Sequence, residues 1–201
     1  MSNFQELRKK IARLITDPLV PLISKLKLTP DLMTLIGLII NLIAAVVIGS
    51  GHLFLGGVIF LLAGLFDMLD GALARYMQKT TKFGALFDST VDRLTEGALF
   101  LSFIFVTSPS IWPHDTTWQI ALIFTAMIGS FLTSYIRARA EGLSIDCTVG
   151  LFTRVERVII LAGGLLLNQV FIALAIVVVF SFITVGQRFI YVWHRTKKII
   201  K

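Results

Sequence analysis

Two stretches decide how this 201-residue chain folds: Phe66-Asp67-Met68-Leu69-Asp70-Gly71-Ala72-Leu73-Ala74-Arg75 and Gly84-Ala85-Leu86-Phe87-Asp88-Ser89-Thr90-Val91-Asp92-Arg93. Each carries two aspartates at one edge of a long apolar run, where an ionised carboxylate is costly unless it is paired or bound to a cation. At about 100° per residue, Asp67 and Asp70 share one helix face with Gly71 and Ala74, and Arg75 lies at its edge. Gly84, Asp88 and Asp92 form a stripe on the next helix. The short connection Met77 to Lys82 predicts that the two helices are antiparallel neighbours whose four acids converge near one end of a bundle.

The rest of the chain supplies that bundle. Apolar residues make up 56% and charged residues 15%, and the mean hydropathy is +0.84, whereas soluble domains average about 45–50% apolar and about 25% charged. A bilayer core about 30 Å thick needs roughly 20 apolar residues in helix. Six such spans are expected: Asp31 to Ile48, Leu53 to Tyr76, Phe83 to Val106, Thr117 to Ala140, and a hairpin within Val158 to Gly186 that turns at Asn168-Gln169. Thr29-Pro30-Asp31 reads as the capped start of the first span. Read as one helix, the last stretch would overshoot the hydrocarbon thickness, which favours two arms.

The charges are segregated. Of 19 Lys and Arg, six precede the first span, four lie from Arg75 to Arg93, four from Arg137 to Arg157 and five from Arg188 to Lys201. The alternate connections, 49–52, 107–116 and 168–169, hold none. Positive residues collect on the cytoplasmic side, so six spans place both termini and the acid cluster there, in the cell membrane. The net charge of +7 therefore describes a membrane-facing surface, with no nucleic-acid partner. Residues 1–28, with Phe4, Leu7, Ile11, Leu14 and Ile15 opposite Arg8, Lys9, Lys10 and Arg13, read as an amphipathic interfacial segment and not as a cleavable signal peptide. Residues 29–201 read as one six-helix transmembrane domain, giving an all-α integral membrane protein. Trp112, Trp118 and Trp193 are expected as interfacial anchors. The single cysteine, Cys147, excludes an intramolecular disulfide, and three scattered histidines exclude a Cys/His zinc cluster.

Four like charges crowded at low dielectric repel unless cations neutralise them. Two divalent ions would cancel a formal charge of −4, and all-oxygen ligation favours Mg²⁺ or Mn²⁺. Paired metals suit displacement at phosphorus. The cation or proton transporter is the alternative of a different class, since intramembrane acids also mark ion paths. It predicts acids near mid-membrane along a route open to both sides.

The spacing from Asp67 to Asp92 (Asp, two residues, Asp-Gly, two residues, Ala-Arg, eight residues, Gly, three residues, Asp, three residues, Asp) resembles the signature of the CDP-alcohol phosphotransferases. That resemblance implies six helices around a dimetal site open to the cytosol. There an alcohol attacks the β-phosphorus of a CDP-linked lipid and CMP leaves. It implies metal ligation by Asp67, Asp70, Asp88 and Asp92, with Asp92 also the general base, and nucleotide or diphosphate contacts at Gly71 and Arg75. A homodimer is implied on the same ground.

Basic residues at the expected cytoplasmic end narrow the acceptor. Arg137, Arg154, Arg157 and Arg188 could cradle a phosphate through forked guanidinium donors. Phe66 to Gly71, Asp88 to Arg93, Ser134 to Glu141 and Glu156-Arg157 resemble the bacterial phosphatidylinositol-phosphate synthase branch, which joins CDP-diacylglycerol to inositol phosphate. Within Leu28 to Thr34, Asp31 and Thr34 match CDP-lipid contacts of that branch, as does Thr81. Arg137 departs from the pattern, standing where the branch has lysine. An enzyme acting on ether lipids would look alike, and glycerol 3-phosphate is the alternative acceptor. Glu96, one turn beyond Asp92, is expected to pair with an arginine and support the site.

Overall fold

The computed structural model describes residues 14, 16–25, 28–78, 80–106, 112 and 115–199, without the side chains of 198 and 199. The basic face expected around Arg8 to Arg13 lies outside these residues. A first helix, α1, covers 16–25. It is followed by α2 (Pro30–Gly49), α3 (Leu53–Tyr76), α4 (Lys82–Ile104), α5 (Thr116–Gly142), α6 (Arg154–Leu166) and α7 (Val170–Ile199). No strand occurs among the described residues.

Local chemistry sets the helix ends. Thr29 caps α2, its hydroxyl accepting from the Leu32 amide, with Pro30 preorganised in the first turn. Thr81 caps α4 through the Gly84 amide, and Asp115 caps α5 through the Trp118 amide. In α6, Thr153 and Glu156 form a reciprocal capping box, Glu156 Oε2 accepting from the Thr153 amide at 2.8 Å. Between α6 and α7 the chain turns through Asn168, at φ 57°, a left-handed conformation asparagine tolerates.

Among the described residues, four helices are long and apolar enough to cross a membrane: α2, α3, α5 and the Val170–Lys197 portion of α7. Lys82, Asp88, Asp92, Arg93 and Glu96 break the apolarity of α4. With 13 residues, α6 extends only about 20 Å at ~1.5 Å per residue. Helix α7 runs well past the expected end at Gly186, through the basic tail. There Lys197 Nζ lies 3.9 Å from the Trp193 ring centroid and the Arg195 guanidinium 5.3 Å from that of Tyr191, so cation–π contacts between successive turns reinforce the helix.

Packing corrects one expectation. Helices α3 and α4 are not neighbours along their lengths. Instead α2 packs against both, α3 against α6, α4 against α5, and α7 against α5 and α6. The six helices close into a ring ordered α2, α3, α6, α7, α5, α4. With α2 packed against both, the acid-bearing faces of α3 and α4 turn toward a shared interior.

The ring is plugged at one end. Ile48 of α2, Phe60 of α3, Phe100 and Phe103 of α4, Ile123 of α5, Leu165 of α6 and Leu174 of α7 form an apolar core. Trp112 belongs to it at 7% exposure and donates Nε1–H to the Val106 carbonyl at 2.7 Å. It is therefore a plug and not an interfacial anchor, whereas Trp118 and Trp193 are 67% and 50% exposed. At the other end Val20 of α1 packs on Met33, Leu69 and Leu73, fastening α1 to α2 and α3. Cys147 is fully buried beside Ala140 and Ile145, and desolvation pushes its thiol pKa up.

Candidate active site

The functional candidates meet at the end of the ring opposite the apolar plug. Asp67 lies nine residues before the end of α3, about 13 Å in from its terminus. Asp88 and Asp92 sit in the first half of α4. One carboxylate oxygen from each of Asp67, Asp70 and Asp88 falls within 4.8 Å of the others, so two helices that do not pack together still bring three acids to one point. Asp70 is 4% exposed. Its Oδ2 accepts from Thr34 Oγ1 at 2.7 Å and its Oδ1 from the Gly71 amide. Thr34 on α2 thus fixes the Asp70 carboxylate from the third wall.

The fit to a hard divalent ion follows from the donor set: three oxygens on converging carboxylates, no nitrogen or sulfur, and no equal number of cations beside them. Asp92 lies one turn beyond Asp88 along α4, with its side chain 14% exposed. Its Oδ2 is 3.4 Å from Arg93 Nη2, and its Oδ1 meets Arg154 Nη1. The same Arg154 nitrogen donates to Asp67 Oδ2. Arg154 therefore reaches from the first turn of α6 to bridge α3 and α4.

The remaining arginines differ sharply in their surroundings. Arg157 is 2% exposed; its Nε donates to Glu96 Oε1 at 2.8 Å and its Nη1 to Thr133 Oγ1 at 3.0 Å. Arg188, also buried, donates Nε–H to the Val149 carbonyl at 2.9 Å and Nη1–H to that of Thr133. Arg137 is half-exposed and pairs with Glu141 one turn on, at 2.9 Å. Glu96 also lies 3.6 Å from Arg93 Nε. Thr133 was not singled out in the sequence, yet it receives both buried arginines. The run Ser130, Thr133, Ser134 in an otherwise apolar helix is the signal that could have pointed to it.

The expected CDP-lipid contacts group at the same end. A Cβ added to Gly84 would meet Thr81 Oγ1 at 2.9 Å and Asp31 Oδ1 at 3.6 Å, and one added to Gly71 would meet Arg75 Nη1 at 3.4 Å. Both glycines keep open space beside polar groups. Arg75 also lines a cavity of about 520 Å³ between α1 and α3, with Thr16, Asp17, Val20, Pro21, Ala72 and Tyr76.

A third glycine holds Arg188 in place. Gly150 adopts φ +128°, and a Cβ there would meet Thr184 Cγ2 at 2.7 Å and Arg188 Nε at 3.2 Å. Gly150→Ala should therefore cost about 1–3 kcal/mol, seen as a lowered thermal unfolding midpoint in detergent.

Comparison with known proteins bears on the same chain. The sequence profile of the CDP-alcohol phosphatidyltransferase family matches residues 27–192. The archaetidylinositol phosphate synthase of Methanothermobacter thermautotrophicus is 36% identical, over 98% of this chain and 97% of its own length. The phosphatidylinositol phosphate synthase of Mycobacteroides abscessus is 35% identical, over 87% of this chain and 81% of its own. Crystal structures of the Mycobacterium tuberculosis phosphatidylinositol phosphate synthase superpose closely. The complex with manganese and citrate gives a TM-score of 0.77 at 30% identity, covering 89% of this chain and 88% of that one. The complex with CDP-diacylglycerol gives 0.76 at 31%, covering 90% and 94%.

Proposed function

The chain belongs to the CDP-alcohol phosphatidyltransferase family, a multi-pass membrane enzyme, and from that premise we propose that it makes a phosphatidylinositol-phosphate-type lipid. The donor is a CDP-linked lipid, CDP-diacylglycerol or its ether analogue, and the acceptor is inositol phosphate. The acceptor hydroxyl oxygen bonds to the β-phosphorus, the bond from that phosphorus to the bridging oxygen breaks, CMP leaves, and Asp92 takes the hydroxyl proton. The observation that carries this reading is the meeting of Asp67, Asp70 and Asp88 within 4.8 Å, at the same end as Arg137, Arg154, Arg157 and Arg188.

Asp67, Asp70, Asp88 and Asp92 would hold a pair of divalent ions, Mg²⁺ or Mn²⁺, which supply charge neutralisation and Lewis acidity toward the diphosphate. The protein's own groups do the rest. Thr34 orients Asp70. Gly71 and Gly84 leave the helix surface open to the nucleotide, and Asp31, Thr34, Thr81 and Arg75 contact the CDP moiety. Arg137 and Arg154 offer guanidinium donors to the acceptor's phosphate, and Arg188, whose Nε and Nη1 are held by the Val149 and Thr133 carbonyls, adds its positive charge. Arg157, held by Glu96 and Thr133 and buried, adds its positive charge to the same cradle. The chain spans the membrane six times with both termini and the site in the cytosol, as a homodimer.

The apolar plug of Phe60, Phe100 and Phe103 supports transfer over transport, because an ion path needs polar access from both sides and this end is filled. The test is incorporation of radiolabelled inositol phosphate into lipid by purified protein with CDP-diacylglycerol, with and without Mg²⁺. Labelled lipid and stoichiometric CMP only in the presence of Mg²⁺ is the expected result. Turnover with glycerol 3-phosphate but none with inositol phosphate would overturn the acceptor assignment.

A further inference from the structure

Arg154 has one guanidinium nitrogen on two carboxylates, Asp67 of α3 and Asp92 of α4, two helices that do not pack on each other. It occupies the place of a small cation between acids that would otherwise repel. The other buried cations have no such freedom: Arg157 is bound to Glu96 and Thr133, and Arg188 to the Val149 and Thr133 carbonyls. Arg154 keeps a 24% exposed side chain at the first position of a helix whose start is fixed by the Thr153–Glu156 box. Its backbone is anchored while its long side chain reaches the acids and stays partly open to solvent. An acid oxygen engaged by a guanidinium is less available to a divalent ion, and a guanidinium displaced by that ion is released toward any anion nearby.

We propose that Arg154 is an exchangeable counter-ion: it bridges Asp67 and Asp92 while the metal site is empty, and turns to the acceptor's phosphate when divalent ions take those carboxylates. The proposal rests on the reading of the aspartates as a metal site. It makes the order of assembly metal first, acceptor second. Linkage makes the coupling reciprocal, so acceptor binding tightens metal binding by the same factor that metal tightens acceptor binding. Arg154 is thus a positioning residue whose place in the site is set by the occupancy of the acids.

The test compares metal-stripped wild-type protein with Arg154→Gln and Arg154→Lys, without donor lipid. Mn²⁺ binding is followed by electron paramagnetic resonance, and the thermal midpoint is measured in EDTA and in saturating Mg²⁺. Removing the internal competitor should tighten Mn²⁺ binding about tenfold in Arg154→Gln, equivalent to ~1.4 kcal/mol. Arg154→Lys, lacking the fork, should fall between this variant and wild type, and serves alone if the glutamine variant does not fold. In EDTA Arg154→Gln should melt below wild type, because the acids have lost their cation; in Mg²⁺ the gap should close. An equal deficit in both media would mark a fixed structural strut and overturn the proposal, as would unchanged Mn²⁺ affinity. If neither wild type nor variant binds Mn²⁺, the metal-site reading itself fails, an outcome separate from binding of equal strength. In wild type, the affinity for inositol phosphate should rise severalfold on adding Mg²⁺, and that rise should shrink in Arg154→Gln.

Discussion

Asp92→Asn should slow phosphatidyl transfer by about 10²–10⁴-fold, the range general-base catalysis supplies, while CDP-lipid binding stays within a few-fold of wild type. Asparagine keeps the shape of the side chain and still offers an oxygen to Arg154, but it cannot accept the hydroxyl proton at neutral pH. Asp92 lies one turn beyond Asp88 along α4, beside Arg93 and Arg154, and stands outside the trio whose oxygens converge within 4.8 Å. That separation suits a group that handles a proton while Asp67, Asp70 and Asp88 hold charge. Single-turnover CMP release, paired with CDP-diacylglycerol binding to the same preparation, checks both halves. Wild-type release by the variant would remove Asp92 as the base.

Stripping the metal should have an effect of similar size. EDTA should bring turnover to background, with recovery on adding Mg²⁺ or Mn²⁺. Asp70→Asn should raise the Mg²⁺ concentration for half-maximal rate beyond the ~10–100-fold that loss of an outer partner costs. Asp70 is buried and held by Thr34 and the Gly71 amide, so its carboxylate is preorganised and has no substitute. A titration of rate against free Mg²⁺ in both proteins measures the shift. Turnover that survives chelation would refute the metal assignment.

The site was more legible in the sequence than the packing that builds it. Helical periodicity alone put Asp67 with Asp70 and Asp88 with Asp92, and Thr29, Pro30 and Asp31 announced the start of α2 through cap chemistry that is local to four residues. What periodicity does not carry is which helix lies beside which. A short connection implied that α3 and α4 pack together, but α2 packs against both, and no local pattern encodes which helices of a bundle touch. Arg157 and Arg188 read as part of a phosphate cradle, and their burial within the bundle was hidden for the same reason. Their acceptors, Glu96, Thr133 and Val149, are 61, 24 and 39 residues away. Trp112 looked like an anchor at the membrane edge until its indole was found bonded to the end of α4.

Those sequence separations also set a timetable for biogenesis. Asp67 and Arg154 are 87 positions apart, which at a synthesis rate of ~5–20 residues per second means about 4–17 s between their appearances. During that interval the nascent hairpin exposes its acids to the insertion machinery without the guanidinium that later bridges them. The C-terminal third of the chain thus completes late a centre whose aspartates were made in the first half.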